Sequence, residues 1–140
     1  MPAWIIYALL AAAFAALVAI FGKIGLEGVD TTLATTVRAV IMAGFLIIVS
    51  LFLGKSSLLG GITSKPLLFI TASGIAGALS WLFYFSALKH GPASGVAALD
   101  RLSVVFVLVL AILFLGEHLT WKSAFGATLV TAGAILMSLR

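Results

Sequence analysis

Residues 93–117 read ASGVAALDRLSVVFVLVLAILFLGE, and whether they cross a membrane decides what kind of protein this is. The uninterrupted apolar part, Leu102 to Leu115, has 14 residues. At the α-helical rise these reach about 21 Å, short of the ~30 Å hydrocarbon core of a bilayer. Extending the segment back to Ser94 gives 22 residues and a full crossing. The extension also places Asp100 and Arg101 inside the membrane, about two turns from one end. A charge there costs about 2.5 to 3.5 kcal/mol, so the two residues must find partners or face a wet cavity.

The rest of the chain supports the membrane reading. Of its 140 residues, 64% are hydrophobic and only 9% charged, a balance that no water-soluble core of this size requires. The formal charge of +4 comes from isolated Lys and Arg residues, so no basic patch for nucleic acid is expected. Cysteine is absent, which excludes disulfides, thiolate metal sites and thiol nucleophiles. The two histidines and four carboxylates are scattered, with no metal-ligand cluster, phosphate loop or nucleophile–base pair. We therefore expect no enzyme, no metal and no cofactor.

Working outward, five apolar segments emerge: about 4–22, 32–53, 67–88, 94–115 and 121–139. The first has no basic start and no small-residue cleavage site, so it reads as a transmembrane helix rather than a signal peptide. Its Tyr7, Phe14 and Phe21 form one stripe, suited to lipid, packing or a cavity wall. Glu27 and Asp30 lie in a short polar loop, and Arg38 follows in the second segment, near enough to its end to snorkel. Gly54 to Pro66 reads as a flexible loop. In the third segment Gly74, Ala78, Trp81 and Phe85 share a face, and Trp81 with Tyr84 can line a pocket or sit in the interfacial aromatic belt. Thr120 is placed to cap the fifth segment, where Gly126 and Gly133, widened by Ala127 and Ala134, form a smooth strip for helix–helix packing.

With five crossings the termini lie on opposite sides. Loops on the amino-terminal side carry Lys55, Lys65 and Lys122, and those on the other side carry Lys23, Lys89 and Arg140. Topology follows the excess of Lys and Arg, so this tie leaves orientation weakly specified and suggests insertion both ways, with each chain paired to its inverted copy. Adding Arg38 and Arg101 would favour a cytoplasmic carboxyl terminus.

Particular residues also carry a family resemblance: 81–88, Gly91-Pro92-Ala93-Ser94, the turn Leu113-Phe114-Leu115-Gly116-Glu117-His118-Leu119-Thr120, and GATLVTAGAILM at 126–137. Together these resemble the EamA-type domain of the drug/metabolite transporter superfamily. The match extends at lower specificity over residues 1–140 as a single domain. Most members carry two such domains as inverted repeats around a central site, so the resemblance implies that one domain completes the architecture as an antiparallel homodimer. It implies a multi-pass protein of a prokaryotic cell (inner) membrane. The family often has a proline in the fourth helix just after the position of Arg101, whereas here Ser103-Val104-Val105-Phe106 is unbroken. The related small multidrug resistance proteins couple protons through a first-helix glutamate, and the corresponding position here is Ala15.

The expected architecture is thus all-α and polytopic, with five transmembrane helices paired as an inverted dimer in the lipid bilayer. The expected function is secondary transport of a small organic solute by alternating access. Arg101, Asp100, Arg38 and Ser94 would supply polar contacts, and Trp81, Tyr84 and Tyr7 apolar walls. Adjacent residues on a helix point about 100° apart, so Asp100 and Arg101 are not expected simply to neutralise each other. Arg38 and Asp100, at similar depth, are candidates to pair instead. The same charges would serve equally as a fixed interhelical network. A non-transporting subunit that assembles with a partner through the fifth helix is the alternative, and a passive channel a third possibility.

Overall fold

The computed structural model describes residues 2–139; Arg140, counted above in the charge balance, lies outside the described residues, as does Met1. Among the described residues there are six α-helices, α1 (Ala3–Gly25), α2 (Thr31–Phe52), α3 (Ser64–His90), α4 (Ala93–Asp100), α5 (Ser103–Leu115) and α6 (Trp121–Ser138), a 3-10 helix over Lys55–Gly61, and no strand. Four stretches are long and apolar enough to cross a membrane: Ala3–Gly25, Thr31–Phe52, Ser64–His90 and Ala93–Leu115, the last combining α4 and α5. The α6 helix has 18 residues and carries Lys122, Ser123, Thr128 and Thr131. Its length of about 27 Å nearly matches the hydrocarbon core. The protein is all-helical, and apolar side chains such as Phe52, Phe83 and Phe114 lie on its surface. A water-soluble chain would bury them; in a bilayer, lipid covers them.

Local chemistry sets the helix ends. Asp30 caps α2, its carboxylate accepting from the N–H groups of Thr32 at 2.9 Å and Leu33 at 3.0 Å. Thr120 caps α6 in a capping box with Ser123, the two side chains reciprocally satisfying backbone donors at 3.1 Å. Pro66 falls in the first turn of α3, where its missing N–H is no loss, so that helix starts at Ser64, ahead of the expected start at 67. At the end of α5, Gly116 adopts φ +67°, and the Glu117 N–H turns back to the Ala111 carbonyl at 3.2 Å. The expected loop 54–66 is largely ordered as the 3-10 helix.

The largest departure lies in the segment that opened the sequence reading. In place of one helix over 94–115, the α geometry stops at Asp100 and resumes at Ser103. Arg101 and Leu102 donate three residues back, to Ala98 at 3.1 Å and Leu99 at 2.9 Å. Val104 and Val105 do the same, to Arg101 at 3.1 Å and Leu102 at 2.9 Å. A tighter 3-10 turn therefore interrupts the span without proline or glycine.

The chain divides into two compact units. One comprises the chain through Lys23 together with His90 onward, so it holds α1, α4, α5 and α6. Here α4 packs on α6 at Gly95: a Cβ at that position would meet the Pro92 ring at 3.2 Å and the Met137 carbonyl at 3.6 Å. The buried residues Ala19, Ala98, Ala111 and Ala134 are all small, which permits close helix approach. At the end of α1, Lys23 donates from Nζ to the Gly91 carbonyl at 2.9 Å. The other unit, Ile24–Lys89, holds α2, the 3-10 helix and α3. Its buried residues are Leu26, Thr35, Phe85 and Leu88, and Lys89 ties the last turn of α3 to the Val29 carbonyl at 3.2 Å.

Candidate functional site

Within the unit of α2 and α3, the helical repeat puts Thr35, Arg38, Ala39, Met42 and Leu46 on one face of α2. The same repeat aligns Gly74, Gly77, Ala78 and Trp81 on α3. These faces line an open groove of about 630 Å³, to which Thr36, Ala43 and Leu82 also contribute. Its volume falls within the usual range for small-molecule sites. The glycines and alanine of α3 leave the space, and the opposing apolar side chains of α2 shape it.

Arg38 is the one charged residue in that lining. Its guanidinium carbon lies 3.6 Å from the centre of the Trp81 ring and 5.5 Å from that of Phe85. Such stacking satisfies the cation electrostatically against the negative face of the indole. The ring is itself held in place: Trp81 meets Tyr84 edge-on at 5.3 Å and Phe85 at 5.8 Å, and Tyr84 lies 6.4 Å from Phe85. Among the described residues no carboxylate pairs with Arg38. The Thr35 and Thr36 hydroxyls donate to the carbonyls of Thr31 at 2.7 Å and Thr32 at 2.8 Å, which leaves them as acceptors toward the groove.

The structure thus brings together three of the residues singled out from sequence, Arg38, Trp81 and Tyr84. Phe85, noted only as part of a stripe, joins them as a buried member of the cluster. The Arg38–Trp81 stack itself was not expected, since nothing local in the sequence connects positions 43 residues apart (81 − 38). The contributions of Thr36, Met42 and Gly77 were likewise missed; the small-residue spacing of Gly74, Gly77 and Ala78 was the available signal.

The other unit holds Tyr7, Ser94, Asp100 and Arg101. Tyr7 is exposed on α1, and Ser94 is exposed in the first turn of α4. Asp100 and Arg101 form an ion pair, Arg101 Nη2 to Asp100 Oδ2 at 2.9 Å, at the interruption between α4 and α5. This corrects the expectation that adjacent charges would not neutralise each other: that argument assumed continuous α geometry, and the chain departs from it at Arg101. The partner of Asp100 is therefore Arg101, and that of Arg38 is the Trp81 ring.

On α6 the strip of small residues is divided between two roles. Ala134 is buried in its own unit, while a Cβ at Gly126 or Gly133 would meet nothing within 4 Å. Beside Ala127, a shallow depression of about 350 Å³ runs past Thr128 and Thr131, whose hydroxyls donate back to the carbonyls of Ala124 at 3.0 Å and Ala127 at 2.9 Å. Among the described residues no group of three His, Cys, Asp or Glu side chains converges as a metal site would require.

Comparison with known proteins adds two findings. The profile of the EamA-like transporter family matches residues 2–139. A protein of a Sinorhizobium species, described as an uncharacterized transporter in the cobO 3' region, is 40% identical over 135 residues, covering 96% of this chain and 96% of the relative. No solved structure matches the chain significantly.

Proposed function

From the premise that this chain belongs to the EamA-like transporter family, we propose that it is a secondary carrier moving a small organic solute by alternating access. Membership of that family and the apolar helices make it a multi-pass membrane transporter. The observation that carries the finer reading is the Arg38–Trp81 stack in the wall of an otherwise apolar groove. A purely structural bundle does not require an arginine without a carboxylate partner inside such a groove, whereas a solute-binding site needs a polar anchor among apolar walls. Trp81 forms the wall beside the anchor and Tyr84 packs against its ring; in the other unit, Asp100, Arg101 and Ser94, beside the helix interruption, and Tyr7 are separate candidates for solute contact.

In this reading a second, inverted copy completes the transporter, and the two protomers rock against each other around the solute. The tie of three against three among the Lys and Arg residues of the loops and carboxyl terminus supports it. The bacterial source of that relative supports a prokaryotic inner membrane. Uptake by vesicles containing only the purified chain is the test. Concentrative, saturable uptake that falls in Arg38→Ala and Arg101→Ala is expected. Uptake that both variants leave unchanged would assign these residues a purely structural role.

A second reading draws support from α6, where Gly126 and Gly133 present an open small-residue face. A non-transporting subunit could use that face to bind a different membrane protein. Transport by the purified chain alone would exclude it.

A further inference from the structure

Resting on the reading of the α2–α3 groove as a solute site, we infer that its occupant is a monoanionic organic carboxylate with an apolar body. Charge balance leads there first. The lining contains a single cation, Arg38, and no carboxylate. A ligand ammonium would have no counter-ion in the lining, and the aromatic face on which a cation would otherwise settle is covered by the guanidinium at 3.6 Å. A zwitterion meets the same obstacle at its positive end. A phosphate dianion would bring two negative charges to one positive one and leave the surplus in a low-dielectric setting.

Donor geometry narrows the choice further. Stacking uses the flat face of the guanidinium and leaves its N–H edge, which matches the two oxygens of a carboxylate side by side. Arg38 is the only charged donor in the lining: the Thr35 and Thr36 hydroxyl protons are already committed to the carbonyls of Thr31 and Thr32, and the one further side-chain donor is the uncharged indole N–H of Trp81. The anionic head is therefore held at Arg38. The body of the solute then lies along Met42, Leu46, Gly74 and Ala78, where the groove of about 630 Å³ is apolar and the small residues of α3 give it room.

The test uses the full chain in nanodiscs of phosphatidylcholine, whose lipid carries no net charge or carboxylate, and three probes of similar size: phenylacetate, phenylacetamide and phenethylammonium. We expect saturable binding of phenylacetate at least about tenfold tighter than either of the others, a factor in keeping with a charge-assisted bidentate contact. Binding should be lost in Arg38→Gln and weakened about tenfold in Arg38→Lys, which keeps the charge but loses the fork. Should Arg38→Gln fail to fold, Arg38→Lys and Trp81→Phe carry the test. Equal binding of the amide or the ammonium, phenylacetate binding that is indifferent to Arg38, or no binding of any probe would overturn the inference. The carrier reading fails separately: Arg38-dependent carboxylate binding without saturable counterflow in vesicles would sink transport and leave the ligand class standing. Counterflow of neutral or cationic solutes that ignores Arg38 would do the reverse.

Discussion

If the guanidinium of Arg38 is stabilised by the ring beneath it, then removing both should cost less than the sum of removing each. The cycle compares Arg38→Met, Trp81→Leu and the double variant. At 3.6 Å from the ring centre and half-buried, Arg38 should gain about 1 to 2 kcal/mol from the stack, the range for a partly desolvated cation–π pair. Trp81→Leu forfeits that gain and also the contacts with Tyr84 at 5.3 Å and Phe85 at 5.8 Å. Each such aromatic contact contributes about 0.5 to 1.5 kcal/mol, so the single change should destabilise by about 2 to 5 kcal/mol. Arg38→Met loses the stack but also removes a charge from a depth of about 10 Å, so its net effect should be small or even stabilising. The coupling between the two sites should be about 1 to 2 kcal/mol. Equilibrium unfolding of the purified protein in mixed micelles by SDS, followed by far-UV circular dichroism, measures all four corners. A coupling within about 0.3 kcal/mol of zero would refute the argument, because contacts that are made in fact do not add independently.

Further tests address the other elements. Thr120→Ala removes the capping box of α6 and should destabilise by about 1 kcal/mol in the same unfolding assay, with Thr120→Ser close to neutral. Gly95→Leu would drive a side chain between Pro92 and the Met137 carbonyl and should cost about 1 to 3 kcal/mol, while Gly126→Ala, with open space around it, should be near neutral in the monomer. Single cysteines at Ser56, in the 3-10 helix, and Glu27, in the turn before α2, lie beyond opposite ends of α2 and can be labelled in intact cells with an impermeant reagent, free of background because the chain has no cysteine. Partial labelling at both is the expected result for insertion both ways; labelling at one alone would rule out a dimer of inverted copies.

The parts legible in the sequence were those with a local cause. Apolar length alone located the helices to within a few residues, and Thr120 ahead of Trp121 announced its own cap. Asp30 ahead of Thr31 and Thr32 carried the same kind of signal, although its polar neighbours made it look like part of a loop. By contrast, the interruption at Arg101 and Leu102 has no glycine or proline to mark it, because its cause is a change of hydrogen-bond partner rather than a missing donor. The aromatic seat of Arg38 was illegible for a different reason: it depends on which face of α3 meets which face of α2, a matter of tertiary packing. Depth along the helices had suggested Asp100 as a partner for Arg38, but depth carries no information on azimuth.

That change of partner gives the fourth span an unusual mechanical property. Four N–H groups, those of Arg101, Leu102, Val104 and Val105, bond to the third residue behind them and could equally bond to the fourth. A proline would have removed a donor for good; here every donor is retained in either arrangement. Rewinding the two residues between the helices, Arg101 and Leu102, from 3-10 to α geometry shortens the segment by about 1 Å and turns everything downstream by about 40°, since the rise falls from about 2.0 to 1.5 Å and the twist from about 120° to 100° per residue. The segment is in effect a screw thread with two pitches, and the Asp100–Arg101 ion pair sits on the thread.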